Sequence, residues 1–193
     1  MNETISRHTI LIALALAVLM AATRSHHFAA ITHLPDASWA VFFLAGFYLR
    51  PLWVFPVLLA LAGMSDYVAI SRFGISDFCV SPAYGFLLPA YGALWFAGRW
   101  YARRHRFRLS TLLPLTAAVL AGATASELLS SGGFYLLSGR FAEPNLAEFG
   151  ARLFDYFPHS LEGMGLYVGA AVIAHALLGL ASQFSARRAS GAH

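Results

Sequence analysis

The chain has one cysteine, Cys79, and it lies in the stretch Asp66-Tyr67-Val68-Ala69-Ile70-Ser71-Arg72-Phe73-Gly74-Ile75-Ser76-Asp77-Phe78-Cys79-Val80-Ser81-Pro82-Ala83-Tyr84. A thiolate is a strong nucleophile and a soft metal ligand, so the first chemistry to consider is nucleophilic or metal-ligating. Cys79 falls in or beside a loop, just before an expected helix start at Pro82. That helix start and Arg72 favour the thiolate; Asp77 opposes it. The competing reading is a small apolar filler. Asp66 is a carboxylate inside an apolar run, which is costly in a membrane and marks a functional site by default. Its plainer alternative is an interfacial acid paired with, for instance, Arg72. Tyr84 and Tyr91 share a helix face by spacing. They either line a cavity for a flat ligand or belong to an interfacial aromatic belt.

Other polar residues are weaker candidates. Glu127 and Glu162 lie near the ends of apolar runs, as Asp66 does. Arg152 follows in a polar connector, where it suits an anionic or amide-rich ligand or plain solvation. His175 sits alone in an apolar run and reads as packing or interhelical hydrogen bonding. His26, His27 and His33 share one short segment, but their spacing matches no strong metal template. They read as a solvated or interfacial loop.

The elements that carry these residues follow from composition. Of 193 residues, 59% are hydrophobic and 11% are charged. Soluble domains carry about 25% charged residues, so the class is an all-α integral membrane protein. Apolar runs place about six transmembrane helices at 9–23, 38–49, 52–70, 82–101, 109–129 and 158–184, in a single transmembrane domain over 1–193. Between the last two, a connector over 130–157 is expected to hold a Ser130-Ser131-Gly132-Gly133 turn and a short interfacial helix between Pro144 and Tyr156. The first run has no cleavage-site pattern after it and is read as a retained helix. Ala13, Ala17 and Ala21 stand four residues apart, a small-residue face that admits close approach of another helix.

Every one of the 13 basic residues is Arg. Under the six-helix topology, nine lie on the side of the termini and four on the other, which makes the termini cytoplasmic. Cys79, Asp66 and the connector then share the outer face. The densest basic cluster is Ala102-Arg103-Arg104-His105-Arg106-Phe107-Arg108. In a membrane protein this balance reports topology rather than nucleic-acid binding. One cysteine excludes an internal disulfide. The chain contains no phosphate-cradling motif, neither GxxxxGK[ST] nor GxGxxG, so no nucleotide site is expected.

These residues carry a resemblance. The segments Gly63-Met64-Ser65-Asp66 and Phe78-Cys79-Val80-Ser81-Pro82-Ala83-Tyr84-Gly85 resemble the substrate-binding (S) components of energy-coupling-factor transporters, more narrowly the BtuM family of cobalamin-specific S components. The alanine face of the first helix is similar to the motif through which S components meet their membrane partner. The resemblance implies a six-helix bundle in a bacterial inner membrane, with a ligand pocket facing the periplasm. It implies cobalamin (vitamin B12) as the substrate, with Cys79 as a ligand to cobalt and Asp66, Tyr84 and Arg152 lining the corrin pocket. It implies an energising module of a transmembrane subunit and ATPases as a partner. Displacement of cyanide from cyanocobalamin by Cys79 would be ligand exchange, which need not turn over as an enzyme does. Two other readings stay open: a membrane enzyme with a reactive cysteine at the outer face, and a metal-ion carrier assisted by His26, His27 and His33.

Overall fold

The computed structural model describes residues 7–24, 34–74 and 81–190, with side chains through Gln183. Cys79 and the three histidines of the 25–33 segment lie outside the described residues. The fold is all-helical, with no strand among the described residues. Six α-helices follow in order: α1 (Arg7–Arg24), α2 (Ser38–Tyr48), α3 (Val54–Phe73), α4 (Leu87–Ala102), α5 (Leu112–Leu137) and α6 (Leu146–Ser190). A 3₁₀ helix, Pro82–Phe86, leads into α4, and a shorter one, Leu109–Thr111, leads into α5.

Four segments are long and apolar enough to cross a membrane: α1, α3, α5 with its leading turn, and α6. Of the remaining two, α4 has 16 residues, and α2 explains the architecture. At 11 residues it reaches only roughly 16 Å at 1.5 Å per residue, about half of a ~30 Å hydrocarbon core. Nearly every residue from Ser38 to Gly46 is buried. α2 is therefore the central helix, packed by α1, α3, α4 and α6, and its Trp, Phe and Leu content fills the core rather than facing lipid.

The tightest crossing is α2 on α4, and two glycines permit it. A Cβ on Gly46 would strike the Trp95 carbonyl, and one on Gly98 would strike the Phe43 carbonyl. Each helix thus presents a missing side chain to the other's backbone. Around this crossing Phe42 stacks on Tyr91 at 4.2 Å between ring centroids, and Phe55 meets Trp95 edge-on at 5.7 Å. Gly122 of α5 admits Ala97 in the same manner, 2.8 Å from where a Cβ would stand.

Two expected boundaries move. Ser130-Ser131-Gly132-Gly133 is not a turn; α5 continues through it to Leu137. Ser130 donates its hydroxyl to the Ser126 carbonyl, keeping its polarity inside the helix. Gly133 leaves the space that the Phe86 ring occupies, so tertiary packing explains the glycine. The expected interfacial helix and the sixth span are one helix, α6, which runs through Pro158. At 45 residues it is roughly 68 Å long, more than twice a ~30 Å hydrocarbon core. The connector shrinks to residues 138–145.

At the arginine-rich end, aromatic and imidazole rings interlock. Tyr101 Oη is 3.0 Å from His105 Nδ1, and Tyr48 Oη is 3.3 Å from His175 Nδ1. The two imidazoles meet edge-on at 5.1 Å, so His175 does form the interhelical contact expected of it. The Arg99 guanidinium donates to the Leu49 and Arg50 carbonyls, satisfying the frayed end of α2. Burial, and secondarily the neighbouring His175, hold His105 below its ordinary value.

Two predictions follow from this packing. Gly46→Ala and Gly98→Ala should each lower stability by about 1–3 kcal/mol through overpacking against backbone, whereas Gly92→Ala, with nothing within 4 Å of its added carbon, should be neutral or slightly stabilising. Thermal unfolding of the detergent-solubilised variants checks the contrast; equal melting temperatures for all three would refute the glycine contact. His105 favours its neutral form in the folded state, so the folded protein binds fewer protons than the unfolded chain near the usual imidazole value of ~6.5. Stability should accordingly fall as pH drops through and below that value and level off above it. His105→Phe should flatten the dependence, measured as melting temperature against pH.

Candidate functional site

At the opposite end of the bundle, one arginine ties four helices together. Arg24 closes α1, where a cation also suits the helix C-terminus. Its Nε donates to Asp66 Oδ1 at 2.7 Å and its Nη2 to Asp66 Oδ2 at 2.8 Å. This is the two-pronged arginine–carboxylate geometry, directional as well as strong. Its Nη1 donates to Ser38 Oγ at 2.8 Å and to Tyr91 Oη at 2.7 Å. Asp66 Oδ2 accepts a further hydrogen bond, 2.6 Å, from the Tyr84 hydroxyl. The Arg24 side chain is 8% exposed and that of Asp66 27%.

Local structure sets each partner in place. Pro35, Asp36 and Ala37 lead into α2. The Ser38 N–H and hydroxyl both donate to Asp36 Oδ1, at 2.9 and 2.7 Å, so Asp36 orients the serine that receives Arg24. Thr23 accepts the Ala37 N–H at 3.0 Å, and Tyr167 of α6 donates to the Pro35 carbonyl at 2.7 Å. Gly74 ends α3 in the left-handed region, φ 65°, which glycine adopts without strain. Pro82 opens the 3₁₀ helix, and Tyr84 points back to Asp66. The sequence between Gly74 and Ser81 is the segment that contains Cys79.

The expected pairing of Asp66 with Arg72 gives way to Arg24, which stands 42 residues away. Asp66 and Tyr84 come together as a hydrogen-bonded pair. Tyr91 joins them through Arg24, with its buried ring stacked on Phe42. Arg152 does not enter this network; its guanidinium lies over Phe141 at 4.8 Å and Tyr156 at 5.5 Å. That second cluster includes Tyr135, which donates to Glu148 at 2.8 Å and accepts the Asn145 N–H. Glu127 is buried and accepts from Ser131. Glu162 forms only an exposed contact with His159, 3.7 Å. Ala13, Ala17 and Ala21 are half-buried, and Ala13 and Ala17 pack on the bundle's own core. Among the described residues, which do not include Cys79, His26, His27 or His33, no cluster of three or more metal-ligating side chains occurs.

Sequence reasoning missed Arg24, Asp36 and Ser38. Arg24 reads as an ordinary polar end to an apolar run. A useful signal was available: an acid inside one apolar run and an arginine ending another are candidates for each other. Against protein-family models and curated proteins, the chain has no match.

The Arg24–Asp66 pair should behave as a buried ion pair. Arg24→Ala or Asp66→Asn leaves a charge uncompensated and should cost about 3 kcal/mol or more. Tyr84→Phe removes one hydrogen bond to a charged group and should cost about 1.5 kcal/mol. Arg24→Lys should rescue poorly, because an ammonium cannot reproduce the fork. Thermal unfolding of the four variants in detergent tests the order; a wild-type melting temperature for Asp66→Asn would show that the pair does not hold the bundle.

Proposed function

We propose that the chain is a cobalamin-binding membrane transport component of the S-component type. Its ligand site is built at the Arg24–Asp66 end of the bundle, and Cys79 ligates cobalt. The observation that supports this reading most is the hydrogen bond from Tyr84 to Asp66. These two residues flank the Cys79 segment in the chain, and both belong to the segments that carry the resemblance. Their contact closes the base of that segment, whatever path its middle takes. Around them Ser38, Asp36 and the Arg24 fork form a hydrogen-bonded polar frame that holds the base of the site. Because Asp66 already accepts three hydrogen bonds, its role in this reading is to hold Tyr84 and Arg24 in place.

In the same proposal the chain passes through a bacterial inner membrane six times, the second passage made by α2, which its neighbours enclose and which is too short to reach both interfaces as a helix. The Asp66 end faces the periplasm, and the arginine-rich end faces the cytoplasm by the positive-inside rule. Arg152 contributes from the α5–α6 side or not at all. The chain has no nucleotide motif, so transport in this reading is either not ATP-driven or powered by an energising module.

The chemistry balances as ligand exchange at cobalt(III). The Cys79 thiol gives its proton to water, a cobalt–sulfur bond forms, the cobalt–cyanide bond breaks, and cyanide leaves as the anion. No electron is transferred. When cyanocobalamin is added to the purified protein, the visible spectrum should shift and free cyanide should appear in a one-to-one ratio with bound corrinoid. Cys79→Ala and Cys79→Ser should abolish both changes. A spectral shift that survives in either variant would remove the thiolate from the mechanism, and a wild-type protein that takes up no corrinoid would remove the proposal itself.

A further inference from the structure

Room for a ligand exists at the arginine-rich end. A cleft of about 370 Å³ opens between α2, the start of α5, α6 and the segment joining α4 to α5. That volume lies in the range of small-ligand pockets, roughly 300–1,000 Å³. Its floor is carbon: Phe43, Leu44, Leu115 and Val168 are all buried. The polar groups within it answer one another, Tyr48 with His175 and Tyr101 with His105. Among the described residues the only buried side-chain oxygens without a partner are on Ser81 and Ser126, neither of which lines the cleft. A polar solute or a group of waters, which needs two to four polar partners each, is therefore poorly served there. The occupant must be largely apolar.

The rim has the opposite character. Arg106 and Arg108 line the same cleft and are exposed, with Arg103 and Arg104 adjacent in sequence. Ion pairs among the described residues are Arg24–Asp66 and His159–Glu162, so neither rim arginine has an acidic partner among them. Leu109 stands exposed at the mouth, and Arg104 lies 3.9 Å over the Trp100 ring, the mixture of apolar, aromatic and cationic groups that belongs at a membrane interface. Basic pockets between helices recognise anionic headgroups. An apolar cleft with an unanswered cationic rim is complementary to one kind of molecule, an anionic amphiphile.

We propose that this cleft is a binding site for an anionic phospholipid, with an acyl chain on the Phe43–Leu115–Val168 floor and the phosphate on Arg106 and Arg108. The inference rests on the membrane-embedded part of the functional reading and is independent of the corrinoid. The site ties lipid identity to the contact between α6 and the α4–α5 segment, where Phe107 packs against Gly179.

The test is native mass spectrometry of the full chain in mild detergent, titrated with dioleoyl phosphatidylglycerol or dioleoyl phosphatidylcholine. Phosphatidylglycerol should be retained at roughly tenfold lower concentration or better, the scale expected of two arginines facing an anionic group. Arg106→Gln with Arg108→Gln should bring the two lipids level. Ala171→Phe, which fills the cleft, should reduce retention of both. Equal retention of the two lipids by the wild type, or an undiminished preference in the double arginine variant, overturns the site. The arginine variant alters only exposed positions, so it decides the matter even where Ala171→Phe does not fold. The cyanocobalamin spectrum of the same arginine variant should match wild type, so a missing spectrum in both and a lost lipid preference report separate failures.

Discussion

The bundle depends on one buried cation. The Arg24 side chain is only 8% exposed and must be answered by protein, and its answers come from α2, α3 and α4 at once. In an apolar surround, removing either member of such a pair leaves the other as an uncompensated charge. The constraint is directional as well as energetic. A guanidinium fork accepts a carboxylate in one plane, so α1 and α3 are held in a single rotational setting. Ser38 and Tyr91 then fix α2 and the start of α4 relative to that plane.

The opposite end solves a different problem. There the helices are held by ring contacts among Phe47, Tyr101, His105 and His175 and by glycine-mediated approach. Beside this packing lies a cleft. The Arg24 end instead fills its interior with polar groups that satisfy one another. The directional anchor of the bundle is the Arg24 network, where α1, α2, α3 and α4 meet. In the reading advanced above, that gives a ligand site a rigid base. The cleft proposed for a lipid lies at the opposite end, between α2, α5 and α6.

α2 shows how packing overrides the length rule for membrane helices. Its sequence, Ser-Trp-Ala-Val-Phe-Phe-Leu-Ala-Gly-Phe-Tyr, is apolar on every face. A helix of that kind is buried on all sides. Because neighbours surround it, α2 need not reach both interfaces. The glycines Gly46 and Gly98 then serve backbone approach, which no local pattern of hydrophobicity reveals. The same holds for Gly133, which reads as a turn residue and proves to be space for Phe86.

By itself, the sequence determined the class and most of the elements. Composition pointed to an all-helical membrane protein, and four helices are long and apolar enough to cross a membrane. Apolar runs located each helix to within a few residues, except around Gly132-Gly133 and Pro158. Helix propensity and burial are local properties of the chain, and lipid-class composition averages over many residues, so both are legible without a structure. Asp66 and Tyr84 were also legible as candidates, because a carboxylate in an apolar run is costly wherever the chain goes. What only the tertiary structure decided was the pairing. Arg24 finds Asp66 across 42 residues, Tyr91 and Ser38 join from two further helices, and Arg152 settles on Phe141 and Tyr156. These contacts are between residues far apart in sequence. Their choice follows from how helices rotate to bury Gly46 against Trp95 and Gly98 against Phe43, a property of surfaces in three dimensions that no single segment encodes.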